Sequence, residues 1–253
     1  MNYEGAVYAP FFHMSGTKER GRETMNWDEL TLEHVRNAYR CHQPVSMGKH
    51  RIYSVLVPLV KKEDGLYLLY ERRSTRMKTQ PGESCFPGGH LEDGEDPLET
   101  ALRETEEEIG IPRGRIELAG PGDILYGIAN FTLYTYIGII QEEDLQYLAL
   151  EKDEVEEIFL IPLTAFFENP PEKHLEQAKP VIPEDFPYAR VGIGKDYPWR
   201  VAKSPIYIYE IEGRVIWGMT AFITRNVLKT LAASVEGLNF DEGAQKQKES
   251  AQE

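Results

Sequence analysis

The segment that most constrains how this chain can fold is 96–111, DPLETALRETEEEIGI, which reads as a helix signed at both ends. Asp96 is placed to accept a hydrogen bond from a first-turn N–H, and Pro97 suits the first helical position. Glu99 stands at capping-box spacing, and Gly110 suits a left-handed exit. Leu98, Ala101, Leu102, Thr105 and Ile109 form one stripe, which requires an apolar partner such as a sheet.

Candidate strands for that sheet lie on both sides. Residues 54–60 (SVLVPLV) and 65–70 read as a hairpin around a Lys-Lys-Glu-Asp-Gly turn, and 131–140 and 159–163 as further strands. Residues 206–211 and 214–217 read as a second hairpin across Glu-Gly, with Thr220 capping a last helix that runs to about 233. Residues 28–40 read as a helix with Leu30, Leu32, Val35 and Tyr39 apolar. The stretch 169–199 holds six prolines and little periodicity, and is expected to be an irregular insertion. Residues 1–24 read as an N-terminal extension open to disorder, 25–240 as one domain, and 241–253 as a disordered polar tail.

Charge narrows the partners. Lys plus Arg total 28 against 42 for Asp plus Glu, a formal charge of −14, which disfavours nucleic acid and anionic membrane as partners. Cys41 and Cys85 make neither a disulfide framework nor a metal-ligand spacing, which fits a reducing compartment. The apolar runs are too short and interrupted to cross a bilayer, so the cytoplasm is the expected location. Against this acidic background Arg72, Arg73, Arg76 and Lys78 put four positive charges within seven residues. Such a cluster suits substrate phosphates, or else forms a basic surface turn balanced by neighbouring glutamates.

On the signed helix Glu104, Glu107 and Glu108 stand at i, i+3 and i+4 and share a face opposite the apolar stripe. Like charges at those spacings cost a few tenths of a kcal/mol per pair, and glutamates in the last turn face the negative end of the helix dipole. A bound hard divalent cation reverses the sign of each cost, and carboxylate oxygens are what Mg²⁺ or Mn²⁺ prefers. Arg103 is placed to pair with Glu99 or Glu95 and orient the cluster. The plainer alternative is a solvated acidic face with a surface ion pair.

Read from Gly89, the segment GHLEDGEDPLETALRETEEEIGI resembles the Nudix box, complete in register, with Thr105 where that family usually has an aliphatic residue. Upstream, ERRSTRMKTQPGESCFPGG is similar to the extra signature of the coenzyme A diphosphatase branch. Leu69, Arg73, Ser74, Gly82 and 86–89 (FPGG) match, Lys78 stands for Arg, and Tyr70 and Glu71 replace Leu and Thr. DEVEEIFLIPL (153–163) and IWGMTAFI (216–223) extend the likeness over about 50–230.

The resemblance implies an α/β Nudix fold, a mixed β-sheet sandwiched between α-helices. It also implies Mg²⁺ or Mn²⁺ on Glu104, Glu107 and Glu108, with a backbone carbonyl at Gly88 or Gly89. Glu107 is our candidate base, with Glu154, Glu156 and Glu157 as alternatives, and Arg103 orients. The implied substrate is coenzyme A or an acyl derivative, received by Arg72, Arg73, Arg76, Lys78, Gly88 and Gly89. Another nucleoside diphosphate derivative, such as ADP-ribose or a dinucleotide, and a non-catalytic binding module stay open, as does a homodimer. Tyr188, Tyr197 and Trp199 are candidates for stacking on a base or for ordinary packing.

Overall fold

The computed structural model describes residues 30–44 and 46–235, so the expected extension and tail lie outside the described residues. In chain order the elements are α1 (Leu32–Arg40), β1 (Arg51–Lys62), β2 (Gly65–Arg73), β3 (Ser84–Cys85), β4 (Gly88–His90), α2 (Pro97–Ile109), β5 (Glu117–Pro121), β6 (Leu125–Gly127), β7 (Phe131–Gln141), β8 (Val155–Pro162), α3 (Leu163–Glu168), β9 (Glu172–Ala178), β10 (Ala202–Ile211), β11 (Arg214–Trp217) and α4 (Gly218–Ala233).

Eight strands form one mixed sheet ordered β3-β2-β1-β7-β5, with β4 on β1, β6 on β7 and β8 on β2. Among the described residues only β1 and β7 pair in parallel, from Arg51 opposite Phe131 to Lys61 opposite Gln141. Pro58, which has no N–H to give, sits where β1 changes its other partner from β4, at 53–55, to β2, at 59–62.

The alternation of β1 divides the interior in two. Val57 and Leu59, with Leu68, Tyr70, Phe159 and Ile161, face a core shared with α3, β10, β11 and α4. Val60, with Leu69, Ile140, Ile158 and Leu160, faces the opposite way onto Ile109 of α2 and Ile111. The sheet is thus covered on both faces by helices, as the resemblance implied. Tyr70, standing where the signature has Leu, is fully buried and stacks on Phe86 and Phe159, at 4.7 and 5.5 Å between ring centres. Its hydroxyl is hydrogen-bonded to Thr224 at 2.8 Å.

Helix α2 starts as read, with the Asp96 side chain accepting from the Leu98 N–H at 2.9 Å. Glu99 does not complete a capping box; it pairs with Arg113 at 3.4 Å. Thr105 is fully buried and donates to the Ala101 carbonyl at 2.6 Å, which lets a hydroxyl take an aliphatic position without an unpaired polar atom. Past the last turn Gly110 adopts φ 80°, and the Glu108 and Ile109 carbonyls accept from the Glu151 and Ala149 N–H groups. That closure brings 149–155 against the end of α2.

Other readings need correction. Helix α1 is capped by Thr31, with His34 returning the bond, and none of its residues is buried. The expected start at 28 lies outside the described residues. Strand β2 runs on to Arg73, so Arg72 and Arg73 are strand residues and not part of a turn. The 169–199 stretch contains β9, which pairs with β10 to make a three-stranded sheet with β11, so only its remainder is irregular. Thr220 does not cap α4, which begins two residues earlier; its hydroxyl lies inside the first turn.

A side chain at Gly110 meets both obstacles at once, the positive φ and the Ala149 backbone, whose nitrogen lies 2.7 Å from where a Cβ would stand. Gly110→Ala is expected to lower unfolding stability by ~1–3 kcal/mol in urea melts. A change within a few tenths of a kcal/mol means that this closure does not lock α2.

Candidate active site

Five elements meet at the C-terminal half of α2: the helix, the short strands β3 and β4, the end of β2, and the loop before β8. Glycines permit the meeting. Gly88 has φ 151°, and a side chain there would collide with the Ser54 carbonyl and Val55 of β1; at Gly89 it would collide with the Glu104 carboxylate. Both glycines belong to β4 and not to a turn; Gly88 lets β4 lie close against β1, and Gly89 lets the carboxylate-bearing helix lie on bare backbone.

Glu108 is 3% exposed and its carboxylate accepts from the Gly88 N–H at 2.8 Å. Glu104 is half-buried over Gly89, and Glu107 is the most open of the three, with its side chain 59% exposed. Arg103 joins the group. Its guanidinium forks onto Glu95 at 2.8 and 3.2 Å and also reaches Glu104 and Glu107, each at 2.9 Å. Of the partners read for Arg103, Glu95 is the one taken, and Glu99 goes to Arg113. Glu95 also accepts from the Thr100 hydroxyl at 2.7 Å and from the Glu92 N–H, and Arg103 above all holds its carboxyl down at about 2.

The cluster contains a residue that sequence reading left out. Glu71 lies in β2 opposite Cys85, on the face that Leu69 shares with α2, and is 1% exposed. The Cys85 thiol donates to one of its oxygens at 3.1 Å; the other has no hydrogen-bond partner. Burial above all pushes the Glu71 and Glu108 carboxyls well above the usual range, helped at Glu108 by repulsion from Glu71 and at Glu71 by repulsion from Glu154 and Glu104, and burial raises Glu104 as well. Burial beside Glu71 also pushes the Cys85 thiol up, the setting of a packed cysteine and not of a nucleophile. The available signal for Glu71 was a lone acid ending an otherwise buried strand run.

The three box glutamates are brought to one end of one helix, yet the expected convergence on one point is incomplete. Among the described residues no three His, Cys, Asp or Glu side chains are grouped closely enough to grip an ion as they stand. The physical reason is Arg103, which holds Glu104 and Glu107 to itself while Glu108 turns to Gly88. The four cations do not form one patch either. Arg72 faces the α4 side and pairs with Glu157 and Glu156, at 3.5 and 3.9 Å. Arg76 is held by Asp153 at 3.2 Å and by the Lys152 carbonyl. Arg73 bonds the Thr79 carbonyl at 3.4 Å and exerts its charge on Glu71, and Lys78 is exposed.

Glu157 is bound by Arg214 as well as Arg72, whereas Glu154 acts electrostatically on Glu71, Glu104 and Glu108. Tyr197 and Tyr188 pack edge-on within a group containing Trp199 and Phe186, which is the packing alternative.

The NUDIX domain description matches residues 50–184, more than half of the chain. Nudix hydrolase 3 of Caenorhabditis elegans is 39% identical over 112 residues, 44% of this chain and 47% of that protein. The peroxisomal coenzyme A diphosphatase NUDT7 of Mus musculus is 37% identical over 115 residues, 45% of this chain and 48% of the relative. The chain thus spans about half the length of these two. The uncharacterized Nudix hydrolase NudL of Escherichia coli is 29% identical over 208 residues, 80% of this chain and 96% of that protein. Among solved structures, a MutT/nudix family protein from Enterococcus faecalis has a TM-score of 0.41 at 16% identity, covering 79% of this chain and 68% of its own. Nothing about this chain's chemistry follows from so distant a likeness.

The raised carboxyls set a pH dependence in chelator. The native state holds the Glu71 and Glu108 protons more tightly than the unfolded chain, whose glutamates titrate at about 4.5. Their stabilising effect is complete below that value and is lost as pH rises through the raised native values. The metal-free melting temperature is expected to fall as pH is raised from weakly acidic through neutral, with a shallower slope in Glu108→Gln. A flat or rising profile in the parent protein refutes this electrostatic picture.

Proposed function

Because the chain belongs to the Nudix family, we propose that it is a metal-dependent hydrolase that cleaves the diphosphate of coenzyme A or an acyl derivative, giving 3′,5′-ADP and (acyl) 4′-phosphopantetheine. The observation that carries the general reading is the placement of Glu104 and Glu108 on the backbone of Gly89 and Gly88, with Arg103 pinned to Glu95 beside them. The narrower substrate rests on the 69–89 signature and on the name of the mouse relative. The cytoplasm remains the proposed location; the peroxisome in that name is said of the relative.

The donor set fits a hard cation: three box carboxylates, half-buried or deeper at 104 and 108, a nearby backbone carbonyl at Gly88 or Gly89, and a buried carboxylate oxygen without a partner at Glu71. Glu104, Glu107, Glu108 and the Gly89 carbonyl would hold Mg²⁺ or Mn²⁺, which when bound lowers the pKa of water and neutralises charge on the departing phosphate oxygens.

The chain's own residues do the rest. Arg103 gives up Glu104 and Glu107 but keeps its forked bond to Glu95, which fixes the guanidinium and therefore the helix face. Glu107, the most open of the three, takes the proton of the attacking water; Glu154 is the alternative base. Glu156 and Glu157 are the weaker alternatives, since Arg72 holds both and Arg214 holds Glu157 too. Arg73 and Lys78 receive the 3′-phosphate, and Arg72 and Arg76, set apart from them, take other phosphate oxygens of the substrate in exchange for their surface carboxylates.

A panel of coenzyme A, acetyl-coenzyme A, ADP-ribose and dinucleotides with Mg²⁺ or Mn²⁺, products identified by mass spectrometry in ¹⁸O-water, tests the reading. Release of phosphopantetheine from a coenzyme A species is expected, with ¹⁸O in one product phosphate. No such release from any of them removes the coenzyme assignment, and no turnover of the whole panel removes the hydrolase. Glu107→Gln is expected to lower turnover by about 10²-fold or more; an unchanged rate rules it out as base.

A further inference from the structure

The strongest remaining anomaly is the free oxygen of Glu71. A carboxylate without a full set of partners in the interior is costly, and its cost is recovered when something else completes it. Strand β2 ends its buried run here: Leu69 faces Ile109 and Ile111, and two residues on, Glu71 lies on the same face, opposite Cys85 of β3. Cys85, opposite it, is three residues from Gly88, whose N–H holds Glu108. Of the charged groups around Glu108, Glu71 acts on it most strongly, and Glu104 and Glu154 act on both. A packed Leu or Thr is the ordinary choice for such a position, and the signature that this stretch resembles has Thr. An acid that breaks the local rule inside an intact core calls for a compensating ligand.

We propose that Glu71 is an additional metal ligand, its free carboxylate oxygen completing, once Glu104 leaves Arg103 and turns in with Glu108, a more deeply buried cation position than the helix provides alone. The inference rests on the hydrolase reading above, since it needs that reading's cation. The Cys85 thiol orients the carboxylate by occupying its other oxygen, so that one oxygen is left for the ion. A hard cation there makes three buried or half-buried carboxylates charge partners in place of mutual repellers.

Full-length parent protein, Glu71→Gln and Glu71→Thr would be titrated with Mn²⁺ near neutral pH and followed by electron paramagnetic resonance, without substrate. Both variants are expected to bind Mn²⁺ about tenfold more weakly or worse, with an altered spectrum of the bound ion. In chelator both should melt no lower than the parent, because each removes a buried, half-partnered carboxylate; this separates a ligand from a structural prop. Parent-like affinity and spectrum in the two folded variants overturn the proposal while leaving the hydrolase reading intact. A parent protein that binds no Mn²⁺ overturns both.

Discussion

Everything at this end of the molecule depends on burying one carboxylate against one backbone N–H. Glu108 reaches Gly88 because α2 lies directly on β4, and α2 lies that close because position 89 presents no side chain to the Glu104 carboxylate, while the bare position 88 lets β4 itself lie against β1. That contact fixes the rotation of the helix about its axis, which decides where Glu104, Glu107 and Arg103 point. At the same residue the helix ends, since the Glu108 and Ile109 carbonyls are closed by the 149–151 segment. Packing through the Glu108 side chain and termination through its carbonyl together set the site geometry.

Arg103 solves the charge problem that this burial creates. A group with Glu95, Glu104, Glu107 and Glu108 on one helix and its approach, and Glu71 behind, cannot stay fully ionised in a low-dielectric setting without cations or protons. The guanidinium meets three of the acids directly, and its five donors make a forked grip on Glu95 compatible with reaching two more carboxylates. A lysine, with a single charged nitrogen, does not offer that geometry. Glu95 is thereby the fixed half of the pair, and Glu104 and Glu107 are the half that can be exchanged.

The sequence showed clearly what is encoded locally. The start of α2 at Asp96, its end at Gly110, the β1–β2 and β10–β11 hairpins and the three-glutamate face all follow from short-range chemistry that reads in the one-letter string. What it hid is long-range. That Arg72 and Arg73, adjacent in sequence, take different partners, Glu156 and Glu157 for the one and the Thr79 carbonyl for the other, needed the true end of β2 two residues into the basic run. Strand β9 carries few strand-forming residues and is mostly exposed, so it owes its form to pairing with β10 and not to its own pattern. Glu71 was visible only as an odd letter, because its meaning comes from Cys85 opposite and Glu108 on another element.

The same partnering explains how a basic cluster and an acidic one coexist within a few residues of sheet. Asp153, Glu156 and Glu157 take up Arg72 and Arg76 through contacts whose side chains are all at least one-third exposed, where an ion pair in water is worth little. Exchanging such a partner for a phosphate oxygen gives up a weak bond and gains a charge-assisted one of similar geometry. The Arg103–Glu95 pair, with both side chains less than one-fifth exposed, stands at the other extreme and is costly to break. The chain thus separates cations that hold architecture from cations that can change partners by how deeply each is set.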